Sequence, residues 1–417
     1  SKYTPLAFMK AAMTKLFLDG NGPITNIPLN PDDILGYWVY IPRYSYEVMR
    51  RDAVDLVQQP EDFKIKFETA GTAKKIPTEG CSSTDDPKSY RVGCGLTRTY
   101  TNTATDTAAN TVTGATWATH PAFTWMDADG NPVELNGIWV GKFETTGSTE
   151  APTVLPNETA LSSIYAEDKA VCYFYDVAKS IGYPDPLNVY GCNNRASTQS
   201  AHDLYEASSH MAKDSEWSAM VYLSASRYGA GVNKVQVRQT SYASSTGLGP
   251  NDGPYNSTDG QLSSTTNNTY GIYDVAGGRS DVIMGSYTTV PGESSGDGFL
   301  YPAKPPYVDL YPDSLLGNDF IINDVDFCNW DVCGGRSLHE VTYLQSNYGY
   351  VNDVYWGTTE PSMTGSIVSP GRPWSTRGGL DAFLERSSTF SIAPTNASNV
   401  SGMATNKYSF RVTLIAK

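Results

Sequence analysis

Charge is scarce in this 417-residue chain: Asp, Glu, Lys and Arg together make up 18% of it. Basic residues are scarcer than acidic ones, 30 against 44, which gives a formal net charge of −14. Binding to phosphate needs a basic stripe, and none runs through the sequence, so nucleic acid and anionic membrane are excluded as partners. Long apolar runs are missing too. A membrane helix takes about 20 consecutive apolar residues, and every stretch here falls well short, so no membrane insertion is expected of the chain as given. The sequence as given opens without an initiator Met or a signal peptide, and Ser1 reads as a processed or trimmed start from which a signal peptide is expected to have been removed.

Cysteine is sparse but even in number: Cys81, Cys94, Cys172, Cys192, Cys328 and Cys333. The expected arrangement is three disulfides paired locally, Cys81 with Cys94, Cys172 with Cys192 and Cys328 with Cys333, one of the 15 connectivities six cysteines allow. Each enclosed loop is short and rich in Gly, Asn, Ser or Asp, where a bridge pins chain that has little core of its own. Free thiols and a zinc site are the alternatives; zinc lacks a second close Cys/His pair to complete a tetrahedron. Disulfides place the protein in an oxidising, extracellular setting. What the chain has in quantity is tyrosine, 28 against 13 phenylalanines. Tyrosine joins apolar area to a polar tip and suits surfaces and interfaces. With 40% hydrophobic residues there is ample material for a core, and the length corresponds to two or three domains of ~150 residues.

Residues 4–19 read as a helix with Thr4 as N-cap, Pro5 at its first position and Gly20 past its last turn. Leu6, Met9, Met13, Leu16 and Phe17 share one apolar face at helical spacing. That face either packs on its own domain or docks on a neighbouring subunit; Leu6, Met9, Met13 and Phe17 are the candidate assembly residues. Residues 20–35 form a Gly/Pro/Asn linker. Residues 36–48 are an aromatic, β-branched strand. Phe123-Thr124-Trp125 and Ile138-Trp139-Val140 flank Asp127-Ala128-Asp129-Gly130-Asn131-Pro132, which reads as a hairpin rather than a calcium loop, because its glycine falls at position four instead of six. Two helices follow, over residues 164–181 and near residues 202–227. The Ser/Thr/Gly/Asn stretch 239–268 reads as a long surface loop of the kind that carries recognition. The chain thus divides into an N-terminal helix and linker (1–35) and a main domain (36–417) with surface insertions at about 71–119 and 239–268.

Catalytic constellations are weak. Gly292-Glu293-Ser294-Ser295-Gly296 matches a nucleophile elbow, but Asp297-Gly298 cannot open the helix that motif needs. His339-Glu340-Val341-Thr342-Tyr343 starts like a zinc-protease helix and lacks its second histidine. His202 and His210, eight residues apart, approach one helical face; two satisfied histidines are the simpler reading. Asp324, Asp326 and Asp331 surround Cys328 and are the candidate ligands for a hard cation such as calcium; the alternative is an acidic loop stapled by a disulfide. No other cofactor is expected.

Four blocks give the most specific signal. They are the helix Lys213-Asp214-Ser215-Glu216-Trp217-Ser218-Ala219-Met220, then Tyr270-Gly271-Ile272-Tyr273-Asp274-Val275-Ala276-Gly277-Gly278, whose adjacent glycines permit a positive-φ turn, then Trp374-Ser375-Thr376-Arg377-Gly378-Gly379, then the terminal strand Tyr408-Ser409-Phe410-Arg411-Val412-Thr413-Leu414. In that order they resemble the formylglycine-generating-enzyme family, where a Glu-Trp helix precedes Asn-x-x-Gly-Leu-Tyr-Asp-Met-x-Gly-Asn, Arg-Gly-Gly and Gly-Phe-Arg. The resemblance spans about residues 137–417 and implies an α+β, loop-rich variant of the C-type-lectin-like fold, with twisted antiparallel strands and two main helices in one large domain. In that fold Trp38, Trp374 and Arg377 are expected to hold strands together. The family's oxidation uses a cysteine pair soon after Arg-Gly-Gly. Here residues 380–390 hold no cysteine, so a soft copper ion has no thiolate ligands. Gly277-Gly278-Arg279-Ser280-Asp281-Val282 also departs from the family's Gly-Asn-x-x-Glu-Trp, which removes ligands from any calcium site there. Residues 36–48 are similar to a segment of exported, pilin-like bacterial surface proteins carrying the same module. The expected function is therefore non-catalytic: a secreted, extracellular bacterial cell-surface protein for adhesion or self-assembly in a filament or pilus-like appendage. Its partners are then copies of itself or a host or cell-surface ligand. A glycan- or protein-binding lectin-like receptor module, and an enzyme with a relocated site on the same scaffold, are the alternatives.

Overall fold

A computed structural model describes residues 5–9, 34–48, 64–71, 101–102, 116–126, 132–162, 170–181, 209–231, 235–238, 245–286, 308–310, 374–378, 392–394 and 406–415. The chain is a mixed α+β protein with few helices and mostly antiparallel sheets. Its central sheet has five strands in the order Pro5–Met9, Ile34–Pro42, Gly137–Gly141, Val412–Leu414, Ser209–Met211, all antiparallel. The middle of this sheet is covered on both faces: neighbours Trp38 and Val39 are both buried. Consecutive strand residues point to opposite faces, so both sides carry core.

Two four-stranded sheets flank it. One runs Ile65–Phe67, Tyr44–Val48, Thr116–Thr119, Thr101–Asn102. The other runs Ile392–Pro394, Ser375–Arg377, Ser280–Ile283, Tyr408–Ser409, its last pair parallel. The chain passes between sheets twice in the same way. Ile34–Pro42 leaves the central sheet and Tyr44–Val48 enters the first flanking sheet with only Arg43 between them. Tyr408–Ser409 leaves the second flanking sheet and Val412–Leu414 enters the central one across Phe410 and Arg411. A buried arginine at such a corner supplies several donors at once and can tie neighbouring segments to it. Arg43 donates to the Phe123 and Leu135 carbonyls at 3.0 and 3.2 Å and pairs with Glu68 and Glu134.

The helix Asp214–Ala225 is buried along its whole length, as expected of one enclosed by core on every side. Its first-turn amides are satisfied by acids: Glu216 accepts from the Lys213 amide at 2.9 Å and Asp309 from the Ser215 amide at 2.7 Å. Negative charge also complements the helix dipole there. The helix Ala170–Ser180 lies within the 164–181 stretch of helical periodicity and packs on Ser209–Met211.

Three local expectations are corrected. The helix read over residues 4–19 is a strand where it is described: Pro5–Met9 pairs with the Ile34–Pro42 strand, Leu6 opposite Trp38 and Met9 opposite Ile34. Pairing with an otherwise open sheet edge outweighs helical spacing over five residues, and a proline that cannot donate is tolerated at the first residue of an edge strand. Leu6 and Met9 therefore lie on a strand rather than on a helical assembly face; Met13 and Phe17 lie outside the described residues. Within the helix read near residues 202–227, Ser209–Met211 is a strand against Val412–Leu414, and helix begins at Asp214. The hairpin near Asp127 pairs Thr124–Met126 with Pro132–Glu134, whereas Gly137–Gly141 belongs to the central sheet.

Candidate functional site

The four sequence blocks meet in space around Trp217. Gly277 (φ 88°) and Gly278 (φ 79°) make the left-handed turn their sequence calls for, and the Gly277 amide donates to the Gly378 carbonyl at 3.0 Å. Gly378 is itself left-handed (φ 81°), with the Trp217 ring 3.4 Å from where a β-carbon would stand. Arg377 pairs with Asp214 at 2.6 Å, and the Arg411 guanidinium lies 5.9 Å from the Trp217 ring centre. Trp38, Trp217 and Trp374 are buried to within 2%.

Arg411 holds this junction together. Its Nη1 donates to the Gly141 carbonyl and its Nη2 to the Tyr273 carbonyl, both at 2.9 Å, and Nε and Nη2 stand 3.3 Å from Asp281. Two more buried carboxylates are close by. Asp274 accepts from the Gly247 amide and Glu144 from the Arg279 amide. Burial drives these acids upward and Arg411 opposes it: Glu144 stands well above its ordinary value, Asp274 above it, and Asp281 at about 7, with neighbouring carboxylates adding to the rise of Glu144 and Asp281. A cluster of this kind retains protons near neutrality.

A second buried constellation has the residue types of acid–base chemistry. His210 Nε2 lies 2.9 Å from both Glu216 oxygens, Lys213 stands 3.9 Å from Glu216 and 3.8 Å from Asp309, and the Trp125 ring lies 5.1 Å from the imidazole. Burial raises Glu216, but the charges of His210 and Lys213 and the bonds they donate outweigh it and hold the carboxyl below its ordinary value. Glu216 is thus an ionised acceptor filled by its own neighbours. With the His210 and Glu216 side chains at 0% exposure, the pair caps a helix and anchors a strand beneath the surface.

Accessible chemistry lies elsewhere, on the segment 245–274. Regular structure there is limited to one turn of helix, Thr258–Gln261, and isolated bridges, yet side chains lock the backbone throughout. Asp259 accepts from the Asn251 amide, the Asn251 side chain and the Gly253 amide at 2.8–3.1 Å; these bonds outweigh its desolvation and hold its carboxyl below the ordinary range. Arg238 binds Asp252 and the Ser245 carbonyl. Thr246, Ser263, Ser264 and Thr265 turn inward and are buried, while Asn251, Asp252, Pro254, Asn256 and Thr258 form an exposed rim. Tyr270 stands at the tip, 50% exposed. Its amide donates to Asn268 Oδ1 at 2.8 Å. The adjoining Thr269 carbonyl accepts from the Lys142 ammonium, and that side chain is 4% exposed. Burial alone lowers Lys142 to about 8.

Of the residues singled out in the sequence, Trp38, Trp374 and Arg377 stand inside the core and His210 in the buried pair. The backbone of Cys172 lies on the Ala170–Ser180 helix. The other five cysteines, His202, Asp324, Asp326, Asp331, and the 292–296 and 339–343 motifs lie outside the described residues. Among the described residues no group of three or more His, Cys, Asp or Glu side chains is placed to hold a metal ion, and no helix is long and apolar enough to cross a membrane. Sequence reasoning passed over Lys142, Glu144 and Asp259. The first two carry a signal, being charges directly after the apolar strand Gly137–Gly141; Asp259 carries none, since acids are ordinary in polar loops. Comparison with protein-family models finds no match, and comparison with curated proteins finds none either.

Proposed function

We propose that the chain is a secreted bacterial cell-surface protein that acts by recognition, without catalysis, on a formylglycine-generating-enzyme-like variant of the C-type-lectin-like fold. The observation that carries this reading is the contrast between its two sets of polar groups. Among the described residues, the two clusters of acids and bases around Arg411 and His210 are enclosed and paired with one another, whereas the amide- and hydroxyl-rich rim of 245–274 is held by its own hydrogen bonds and faces solvent. A preorganised rim binds without the entropic cost of ordering itself, and an exposed tyrosine offers apolar area at low rotamer cost. The meeting of the four blocks at Trp217 supports the fold assignment. The test applies the purified protein to arrays of glycans and of surface and matrix proteins, then remeasures each hit with Tyr270→Ala and Asn256→Ala. Binding weakened about tenfold by these variants supports recognition through this rim. Hits that bind the variants unchanged, or no hits at all, reject it.

Self-assembly is the second reading, and one feature favours it. Pro5–Met9 ends the strand order of the central sheet, and a sheet edge can accept a strand from another copy. Negative-stain images of the purified protein separate filaments from single particles.

A further inference from the structure

Lys142 is a lysine buried where the recognition reading has no use for one, and its surroundings say what it does. Its backbone is fixed on both sides: its amide donates to the Tyr37 carbonyl and its carbonyl accepts from the Tyr273 amide, both at 2.8 Å. From there the side chain passes among three rings, with Nζ 5.1 Å from the centre of Tyr255 and 5.7 Å from those of Phe143 and Tyr273. The rings brace one another, Phe143 stacked on Tyr273 and edge-on to Tyr255, each at 5.4 Å. At the end of this channel the ammonium donates to the Thr269 carbonyl. Tyr273 assists from the same side, its hydroxyl donating to the Tyr255 carbonyl at 2.7 Å with the Asn268 carbonyl also in reach at 3.2 Å.

We propose that Lys142 is the positioning residue of the recognition tip: a caged ammonium that clamps the Thr269 carbonyl and thereby fixes the exposed Tyr270. The proposal rests on the recognition reading for its purpose, but the clamp itself is a physical property of the free protein. A charged donor makes a stronger bond than a neutral one, and three ring faces stabilise a cation and do far less for a neutral amine. The clamp therefore loosens when the ammonium loses its proton. Burial places that step at about 8, within reach of mildly alkaline conditions. Among the described residues, the other titratable groups facing the cage are the phenols of Tyr37, Tyr255 and Tyr273 and, beside Tyr273, the Asp274 carboxyl, which accepts from the Gly247 amide and lies near Arg411. Burial pushes Tyr37 and Tyr273 up, away from this range.

Amide hydrogen exchange on the ligand-free protein tests this, with protection factors corrected for intrinsic rates and the helix Asp214–Ala225 as internal standard. Protection of residues 268–271 is expected to fall about tenfold or more from pH 7 to pH 9.5, the size of a lost charge-assisted hydrogen bond, while the helix holds. Lys142→Met, which keeps the stem among the rings, is expected to show the low protection already at pH 7 with no further change. Lys142→Arg keeps its charge and is expected to stay protected at pH 9.5. Tyr255→Phe keeps the ring and must keep the titration. Flat protection in the unmodified protein overturns the proposal whatever the variants do, as does a Lys142→Met protein that titrates like it. No ligand enters the measurement, so an empty binding array leaves this result standing, and a rigid tip at pH 9.5 leaves the recognition reading standing.

Discussion

Replacing Arg411 by Met is the sharpest test of how this structure is held. The guanidinium is fully buried. It satisfies the Gly141 and Tyr273 carbonyls at 2.9 Å, reaches the Asp274 carbonyl at 3.4 Å and faces Asp281 at 3.3 Å. Breaking a buried ion pair from one side costs about 3–5 kcal/mol, and each buried carbonyl left without a donor adds about 1 kcal/mol where the surroundings relax. At pH 8 the expected loss is about 5 kcal/mol, a large part of the 5–15 kcal/mol typical of a domain. The loss should also depend on pH in one direction. Asp281 sits at about 7 with Arg411 holding it down, and in the variant it rises further. At pH 5.5 the carboxyl is protonated in both proteins and only hydrogen bonds are lost. Above pH 7 the parent releases its proton and the variant keeps it, so the penalty grows by about 1.4 kcal/mol per pH unit. Urea unfolding followed by tryptophan fluorescence at pH 5.5 and 8 measures both. Adding Asp281→Asn should recover about 1–3 kcal/mol at pH 8. A penalty below about 1.5 kcal/mol, or an equal one at the two pH values, refutes the reasoning.

Three further outcomes are expected. The unmodified protein should be most stable in mild acid: the raised Glu144, Asp274, Asp281 and Asp309 carboxyls contribute stability that is complete below their unfolded values and lost as pH rises through their raised folded values, for Asp281 about 7, whereas the lowered Glu216 contributes stability lost as pH falls below its ordinary 4.5; a urea midpoint that peaks at pH 8 contradicts this. Gly378→Ala should cost about 1–3 kcal/mol, chiefly from placing a side chain in left-handed backbone, since its new carbon meets Trp217 at an ordinary 3.4 Å; an unchanged thermal midpoint counts against it. Tyr44→Phe removes the hydroxyl bonded to the Ala219 carbonyl at 2.7 Å and should cost about 1 kcal/mol, read from the urea midpoint without change of slope.

What could be read from the sequence was what neighbours in the chain decide. Adjacent glycines at 277 and 278 announced a left-handed turn, and the 213–220 block with its Glu-Trp pair announced a helix, because both are set within a few residues. Pro5–Met9 misled because its helical spacing is local while its hydrogen bonds come from the Ile34–Pro42 strand. The 408–414 stretch read as one strand and is two, since nothing in its alternation reveals that Tyr408–Ser409 and Val412–Leu414 have partners in different sheets. The tip follows the same rule. The polarity of 239–268 marked a loop, but the inward turn of Thr246 and Ser263 to Thr265 and the reach of Lys142 to Thr269 depend on contacts across the molecule. Arg411, Asp274 and Asp281 each appeared within a motif, and their meeting with one another and with Glu144 did not.

The placement of Val412–Leu414 has a consequence for how the protein is made. This strand lies between Gly137–Gly141 and Ser209–Met211, and Arg411 bonds a carbonyl 270 residues away. During synthesis the two neighbouring strands leave the ribosome long before the one that joins them, at about 5–20 residues per second. For tens of seconds each holds an unpaired edge and the halves of one core stay apart. Contacts this distant in sequence also close slowly. The nascent chain is therefore expected to carry those open edges until its 412–414 strand arrives, so that much of its stability is gained late.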